Sequence, residues 1–460
     1  MSGNIINPRW GDKAQNFDFE LEDERISLDE WFPPLTISSK YFGDTVPTQS
    51  VGFPMSILWG QTKTICPKIA DNTWLISGHH CWVPDPSRVD GGWFASGDIV
   101  TTLWEDASGT DAIPIHSRTI DNGFSVRNTT TREWTSYDEP VCILENDGSY
   151  EVNDESVLTI EIIGMPFKGQ PPKFPYPADP VNLLWTIYNQ YTGFNENNIS
   201  TETFESAYGK GLFKIVFSST FNGFGGDRMR AIDTIHKRLL PQLPCFEYYD
   251  QGKLGLAFVD IWGSSKTDQL CVVETLPKIK MDFIYGYNIL DRIGQVEEGD
   301  EDEIKNNFYI KYNLDINKKS GGWLNELHIT HGVDIPLNPD VDTKISPRCL
   351  KSYNMFGHRS ADTIYAIDIP DTNILGKAGR SAAHVLGEWL EYMFTFRPKY
   401  LTVLGDNSCL QALPGEFIRY TEPQIGFSGK PCLIVGRSTG LSRSKFRLRT
   451  WDNMLNTIPM

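Results

Sequence analysis

Between Asp179 and Gly193 the apolar residues Val181, Leu184, Trp185, Tyr188 and Tyr191 recur at three- and four-residue spacing, which gathers them into one helical stripe. Asp179 stands at the N-cap position and Pro180 at the first helical position, where its missing N–H costs nothing. Gly193 supplies the stop. A second short helix is predicted after Ser200 or Thr201, with Phe204 and Tyr208 four apart on one face. A strand from Leu212 to Ser218 leads to the turn Asn222-Gly-Phe-Gly-Gly226. Asp227 then caps a helix that turns Met229, Ile232, Ile235 and Leu239 inward, and Pro241 and Pro244 forbid its extension. Asp250-Gln-Gly-Lys253 turns into Leu254-Gly-Leu-Ala-Phe258, so the pattern is helix–helix–strand–helix–hairpin.

On either side the period changes. The first 165 residues hold no helix of three turns, only short β-prone runs at 56–59, 73–76 and 99–104, a hairpin pattern from Val141 to Tyr150 around Asn146-Asp-Gly148, and a β-branched strand from Val157 to Ile163. Alternation returns after Leu276, with Phe308, Ile310, Tyr312, Leu314 and Ile316 sharing a face. One strong helix, residues 381–396, carries the stripe Ala382, Val385, Leu386, Trp389, Leu390 and Met393, and Pro398 lies just past it. Strands follow at 401–404, after Leu413-Pro-Gly415, at 431–436 and at 445–451. The expected fold class is mainly β with α+β: two β-barrel-like domains flanking a helix-containing module. The expected division is an N-terminal β-barrel-like (or sandwich) domain at 1–165, a Pro-rich linker at 166–180, an α+β module at 181–275, and a second β-barrel-like domain at 276–460 containing the 381–396 helix.

Composition sharpens this picture. A chain of 460 residues exceeds one ordinary core, and 13 Trp, 18 Tyr and 25 Phe beside 39 Gly and 28 Pro suit β-rich domains with many turns. The net charge of −17 disfavours nucleic-acid binding, which is built on Lys and Arg neutralising phosphates. It serves solubility, or a channel wall to which DNA does not stick. The eight cysteines, at 66, 81, 142, 245, 271, 349, 409 and 432, show no C-x-x-C pair and are expected as buried thiols in a reducing compartment. The first residues carry no apolar leader, and no run is long enough to cross a membrane.

Candidate chemistry is sparse. His79-His80-Cys81 places His79 and Cys81 on one face of a strand, but two further metal ligands are missing at usual spacing. His328-Ile-Thr-His331 lacks an internal glutamate and a third ligand, so two half-buried histidines are the better reading. Gly223-Phe-Gly-Gly-Asp227 lacks the lysine and hydroxyl of a phosphate-binding loop and reads as a turn with an N-cap. The acidic run Glu297-Glu-Gly-Asp-Glu-Asp-Glu303 reads as a solvated turn tip rather than a metal site, and no G-x-S-x-G marks a serine hydrolase. A glycosidase needs only two carboxylates, and 59 acidic residues discriminate nothing. No catalytic, cofactor-binding or metal residue is assigned.

Three stretches carry a resemblance. Asp179-Pro-Val-Asn-Leu-Leu-Trp-Thr-Ile-Tyr-Asn-Gln-Tyr-Thr-Gly193 with Ile199-Ser-Thr-Glu-Thr-Phe-Glu-Ser-Ala207 is the first. The second runs from Phe217-Ser-Ser-Thr220 to Tyr249-Asp-Gln-Gly-Lys-Leu-Gly255. The third, Arg380 to Val435, contains the helix, Leu413-Pro-Gly-Glu-Phe-Ile-Arg-Tyr-Thr421 and Gly429-Lys-Pro-Cys-Leu-Ile-Val435. In this order they resemble the bacteriophage tail hub (baseplate hub or tail tip hub) proteins, over roughly residues 177–450. The resemblance implies a structural protein of the virion, assembled in the host cytoplasm, and not an enzyme. Such hubs form homotrimers in which two related β-barrels per chain make a pseudo-sixfold ring on a hexameric tail tube. The tube or distal tail protein is the partner on one face, and tip, spike or fibre proteins are partners on the other, with DNA passing through the lumen. The alternatives are a cell-wall or capsular polysaccharide hydrolase and a carbohydrate-binding receptor protein of a tail tip.

Overall fold

The strand Pro140–Asn146 shows how alternation builds the first region. Cys142 and Leu144 turn to one face, Val141 and Ile143 to the other, and all four are sealed from water. A strand apolar on both faces needs cover on both. In this computed structural model, which describes residues 3–10, 17–23, 31–84, 93–94, 102–164, 180–210, 219–221, 229–259, 289–370, 381–405 and 413–450 with breaks of at most four residues inside those ranges, both faces are covered. The strand lies in a four-stranded antiparallel sheet, between Phe124–Thr130 and Thr73–Ser77, with Lys68–Ala70 at the edge. Leu75, Val141 and Ile143 pack on Ile37, Tyr41, Phe42 and Met55. Trp74, Ile76, Cys142 and Leu144 face a seven-stranded sheet and share a core with its Leu58, Leu103, Leu158, Ile160 and Ile162. Val157–Gly164 is central there, paired with Ile57–Cys66 on one side and Leu103–Asp106 on the other.

The chain is mainly β with several sheets, but none of them closes into a barrel among the described residues. The barrel expectation is corrected for the first region to two facing open sheets. The path of the larger sheet runs out at Ile113–His116 on one side and Ser219–Phe221 on the other, and these two edges do not pair. The Val141–Tyr150 hairpin is also corrected. Asn146-Asp147-Gly148 does turn, with Gly148 at φ 91° and its N–H on Asn146 Oδ1, but both edges of Pro140–Asn146 are already taken by other strands. Tyr150 instead packs on Phe124 and donates its hydroxyl to Glu105.

Four helices of ten residues or more are described: α1 (Pro180–Tyr191), α2 (Thr201–Lys210), α3 (Pro347–Phe356) and α4 (Ala382–Phe394). The predicted stripe of α1 is buried, and so is most of its other side, including Asn182, Leu183 and Ile187. The helix lies inside the largest core, with Trp185 and Tyr188 packed edge-on against Phe204 of α2. Asp179, Gly193, Leu212–Ser218, Asn222–Gly226 and Asp227 fall outside the described residues, as do the linker before Pro180 and all of 260–288. The helix expected from Asp227 starts at Ala231, because Met229 and Arg230 are extended and paired with Phe32 and Trp31. It winds into a π turn over Thr234–Leu239, and Pro241 falls in the closing 3-10 turn. The hairpin Cys245–Asp250 with Lys253–Phe258 forms as expected, with Gly252 at φ 77°.

The last region is a five-stranded antiparallel sheet in the order Ile289–Glu298, Lys399–Gly405, Ser444–Thr450, Phe427–Thr439, Phe417–Glu422. Its first two strands are adjacent in space, yet an entire α/β unit is inserted between them in sequence. That unit is a mixed sheet in the order Asp342–Ile345, Trp323–Thr330, Phe308–Leu314, Ile364–Ala366, whose two outer strands run parallel to their neighbours. Phe308, Ile310 and Tyr312 are buried as the alternation requires, while Ile316 falls beyond the strand, which ends after Asn313 at φ 58°. α4, with a capping box between Ser381 and His384, lies on the sheet. Gly387 permits the close approach: a Cβ there would stand 2.3 Å from Ile329 Cδ1. One core joins α1, α2, the hairpin, the mixed sheet and α4, and takes in Phe32, Ile57 and Trp59 from the first region.

Candidate functional site

His79 is fully enclosed. Its Nε2 accepts the Leu58 N–H at 2.9 Å, and its Nδ1 donates to the His80 carbonyl at 2.8 Å. Both ring nitrogens are thereby used, and burial pulls its pKa down to about 4. Cys81 reaches Ser77 Oγ at 3.1 Å while Ser77 donates to the His79 carbonyl. His80 bonds the Thr129 carbonyl at 3.0 Å. Cys66, Cys81 and Cys142 share the sandwich core, and burial pushes the Cys66 and Cys142 thiols upward. This trio of sequence neighbours is a framework corner that ties two strands together. All six described cysteines are buried, while Cys271 and Cys409 lie outside the described residues.

The second histidine pair is also internal. His328 Nε2 donates to Asn307 Oδ1 at 2.7 Å, and its ring stacks on Tyr309 at 4.0 Å. His331 Nε2 meets His358 Nδ1 at 2.9 Å, so the H-x-x-H spacing finds a third histidine from a distant segment, but as a hydrogen-bond partner. Among the described residues no group of three or more His, Cys, Asp or Glu is placed to hold a metal ion. The acidic run is a paired surface. Glu297 meets Arg447, Glu298 meets Arg397 and Lys399, and Glu301 meets Arg397. Asp300 caps the short 3-10 turn that follows it. The glycine turn at 223–227 lies outside the described residues.

The polar group with the widest reach was not singled out by sequence. Asp368 is fully buried and receives Arg238 Nε and Nη2 (2.9 and 2.6 Å) and Gln242 Nε2 (2.8 Å), while its own N–H donates to Gln242 Oε1. The guanidinium also lies 4.3 Å over the Phe221 ring and donates to the Thr220 carbonyl. Thr220 sits on the Ser219–Phe221 strand, which pairs with Ile57–Trp59. One side chain of the π turn therefore touches the first region's sheet, the helical module and the inserted unit. Two further ion pairs do similar work: Arg437 with Asp250 joins the last sheet to the hairpin, and Lys63 with Asp315 at 2.9 Å joins the first sheet to the inserted unit. Arg238 and Asp368 are 130 positions apart, so no local pattern could announce the pair.

This geometry is that of a junction: one fully buried carboxylate and partly buried ion pairs hold regions together. No family model and no curated protein matches the chain.

Proposed function

We propose that the chain is a structural hub of a bacteriophage tail, forming a homotrimeric ring at the distal end of the tail tube and carrying tip, spike or fibre proteins on its outer face. The observation that carries the reading is the placement of the three motif stretches. The helix pair, the strand-to-hairpin passage and α4 share one core, and the remaining motifs, 413–421 and 429–435, fall on the last sheet, which touches that core at Leu433 and has its own core around Tyr420, Cys432 and Ile434. In this reading the facing sheets at 57–164 and the five-stranded sheet at 289–298 and 399–450 are the two β units that each chain gives to a pseudo-sixfold ring. The net charge of −17 suits a lumen through which DNA must slide. Exposed apolar side chains in the inserted unit, Leu324, Ile345, Met355 and Tyr365, suit burial against neighbours in an assembly.

The test is the mass in solution, by light scattering over a range of concentrations and in the presence of tail tube. A trimer at three times the 52.1 kDa chain mass is expected, formed alone or on the tube. A chain that stays monomeric under both conditions and depolymerises cell-wall or capsular polysaccharide overturns the reading in favour of a hydrolase.

A further inference from the structure

The segment Gly357–Ala361 leaves the end of α3 and is strapped to the start of the Phe308–Leu314 strand. Asn306 donates from Nδ2 to the Gly357 carbonyl (2.8 Å) and accepts the Arg359 N–H on Oδ1 (2.9 Å), while its own N–H donates to the Arg359 carbonyl (2.8 Å). Asn307 Nδ2 holds Ser360 Oγ at 3.0 Å, and the Asn307 carbonyl takes the Ala361 N–H. One further contact on this strap is titratable: the bond from His331 to His358.

That bond belongs to a chain with fixed polarity. The Val333 N–H donates to His331 Nδ1 at 3.1 Å, so His331 carries its proton on Nε2 and donates it to His358 Nδ1. The His331 ring is buried and stacked on Tyr353 of α3 at 4.2 Å. An added proton breaks a bond of this chain, although His358 itself is exposed. On His331 Nδ1 it would oppose the Val333 N–H, and on His358 Nδ1 it would oppose His331 Nε2–H. Around the pair stand Tyr353 from α3, and His328 and Asp334 from the segment of His331 itself, with Tyr309 behind His328. Asp334 favours protonation of His331, but burial and His358 outweigh it and hold that ring below its ordinary range. Burial and His331 do the same to His328.

We infer that His331 and His358 form an acid-operated latch, whose protonation detaches the 357–361 strap from Asn306 and Asn307 while α4 and the sheet beneath it stay folded. The strap continues into the edge strand Ile364–Ala366 and on to Asp368, so its release loosens the outer edge of the inserted unit.

The experiment is hydrogen–deuterium exchange on the full chain at pH 7.5 and 5.0, corrected for the intrinsic exchange rate. A histidine of ordinary pKa about 6.5 that takes its proton only in the open state raises the opening constant about thirtyfold by pH 5. Peptides covering Gly357–Ala361 should therefore lose protection at least tenfold, while α4 changes less than twofold. The pair His331→Gln with His358→Asn keeps an amide N–H donating to an amide oxygen and has nothing to titrate, so the pH effect on the strap should fall below about threefold. Equal strap protection at both pH values, an undiminished pH effect in the double variant, or parallel loss at α4 would each overturn the latch. Ring-nitrogen NMR of the unaltered protein is a second readout that needs no variant. His331 protonated on Nε2 and titrating below 6.5 is expected, and ordinary titration near 6.5 would overturn it.

Discussion

The acidic loop at 297–303 and the Arg238–Asp368 pair use the same chemical groups to opposite effect. In the loop, Arg397, Lys399 and Arg447 face Glu297, Glu298 and Glu301 with every partner at least a third exposed. At the junction, Asp368 has no exposure at all and Arg238 little. Water screens the first set, so each pair is worth about 0–1 kcal/mol and can be exchanged without consequence. The second set has lost its water, so neither partner is tolerable without the other. Burial, not charge count, separates a decorated surface from a structural joint.

Removing one partner gives the largest expected effect. Asp368→Ala should lower stability by about 3 kcal/mol in urea unfolding, because it leaves the largely enclosed Arg238 guanidinium and Gln242 without their acceptor. Adding Arg238→Ala should recover part of that loss. If Asp368→Ala costs under about 1 kcal/mol, the junction is as wet as the loop and the contrast collapses.

A buried neutral group sharpens the comparison from a third side. The pKa of His79 falls to about 4 in the fold against 6.5 when unfolded. Its stability contribution is therefore complete above pH 6.5 and is lost as pH falls from 6.5 toward 4. At 1.36 kcal/mol per unit this amounts to about 2–3 kcal/mol by pH 4.5. His79→Gln, whose Oε1 can still accept the Leu58 N–H, should flatten the drop in stability between pH 7 and 4.5 by about that amount. An unchanged slope would place the proton uptake elsewhere.

The smallest effect belongs to the loop. Glu298→Gln or Arg447→Ala should shift stability by no more than about 0.5 kcal/mol, and raising the salt concentration should erase even that. A loss of 2 kcal/mol from either would show that these pairs are not the exposed set they look to be.

What was legible in the sequence follows the range of the forces involved. α1, α4 and the Phe308–Leu314 strand declared themselves because burial periodicity and caps act within a few residues. The outer strands Asp342–Ile345 and Ile364–Ala366 did not, because parallel pairing at a sheet edge demands no alternation of a three- or four-residue segment. Asn146-Asp147-Gly148 gave the turn and misled on the hairpin, since whether the chain folds back depends on which edges distant strands have already filled. Met229 looked helical by spacing, but its backbone is held by Phe32, nearly two hundred positions away. His328 and His331 were read as half-buried, but the donor order from Val333 through His331 to His358 requires two distant segments in place at once.

The interrupted last sheet sets a timetable during synthesis. Ile289–Glu298 emerges from the ribosome about a hundred residues before Lys399–Gly405, its neighbour in the sheet. At roughly 5–20 residues per second, the strand waits about 5–20 seconds with an unpaired edge. Over that interval the intervening α/β unit is translated in full. The nascent chain can therefore close its inserted piece before the surrounding sheet is sealed, and the sheet's first strand keeps an open edge throughout that window.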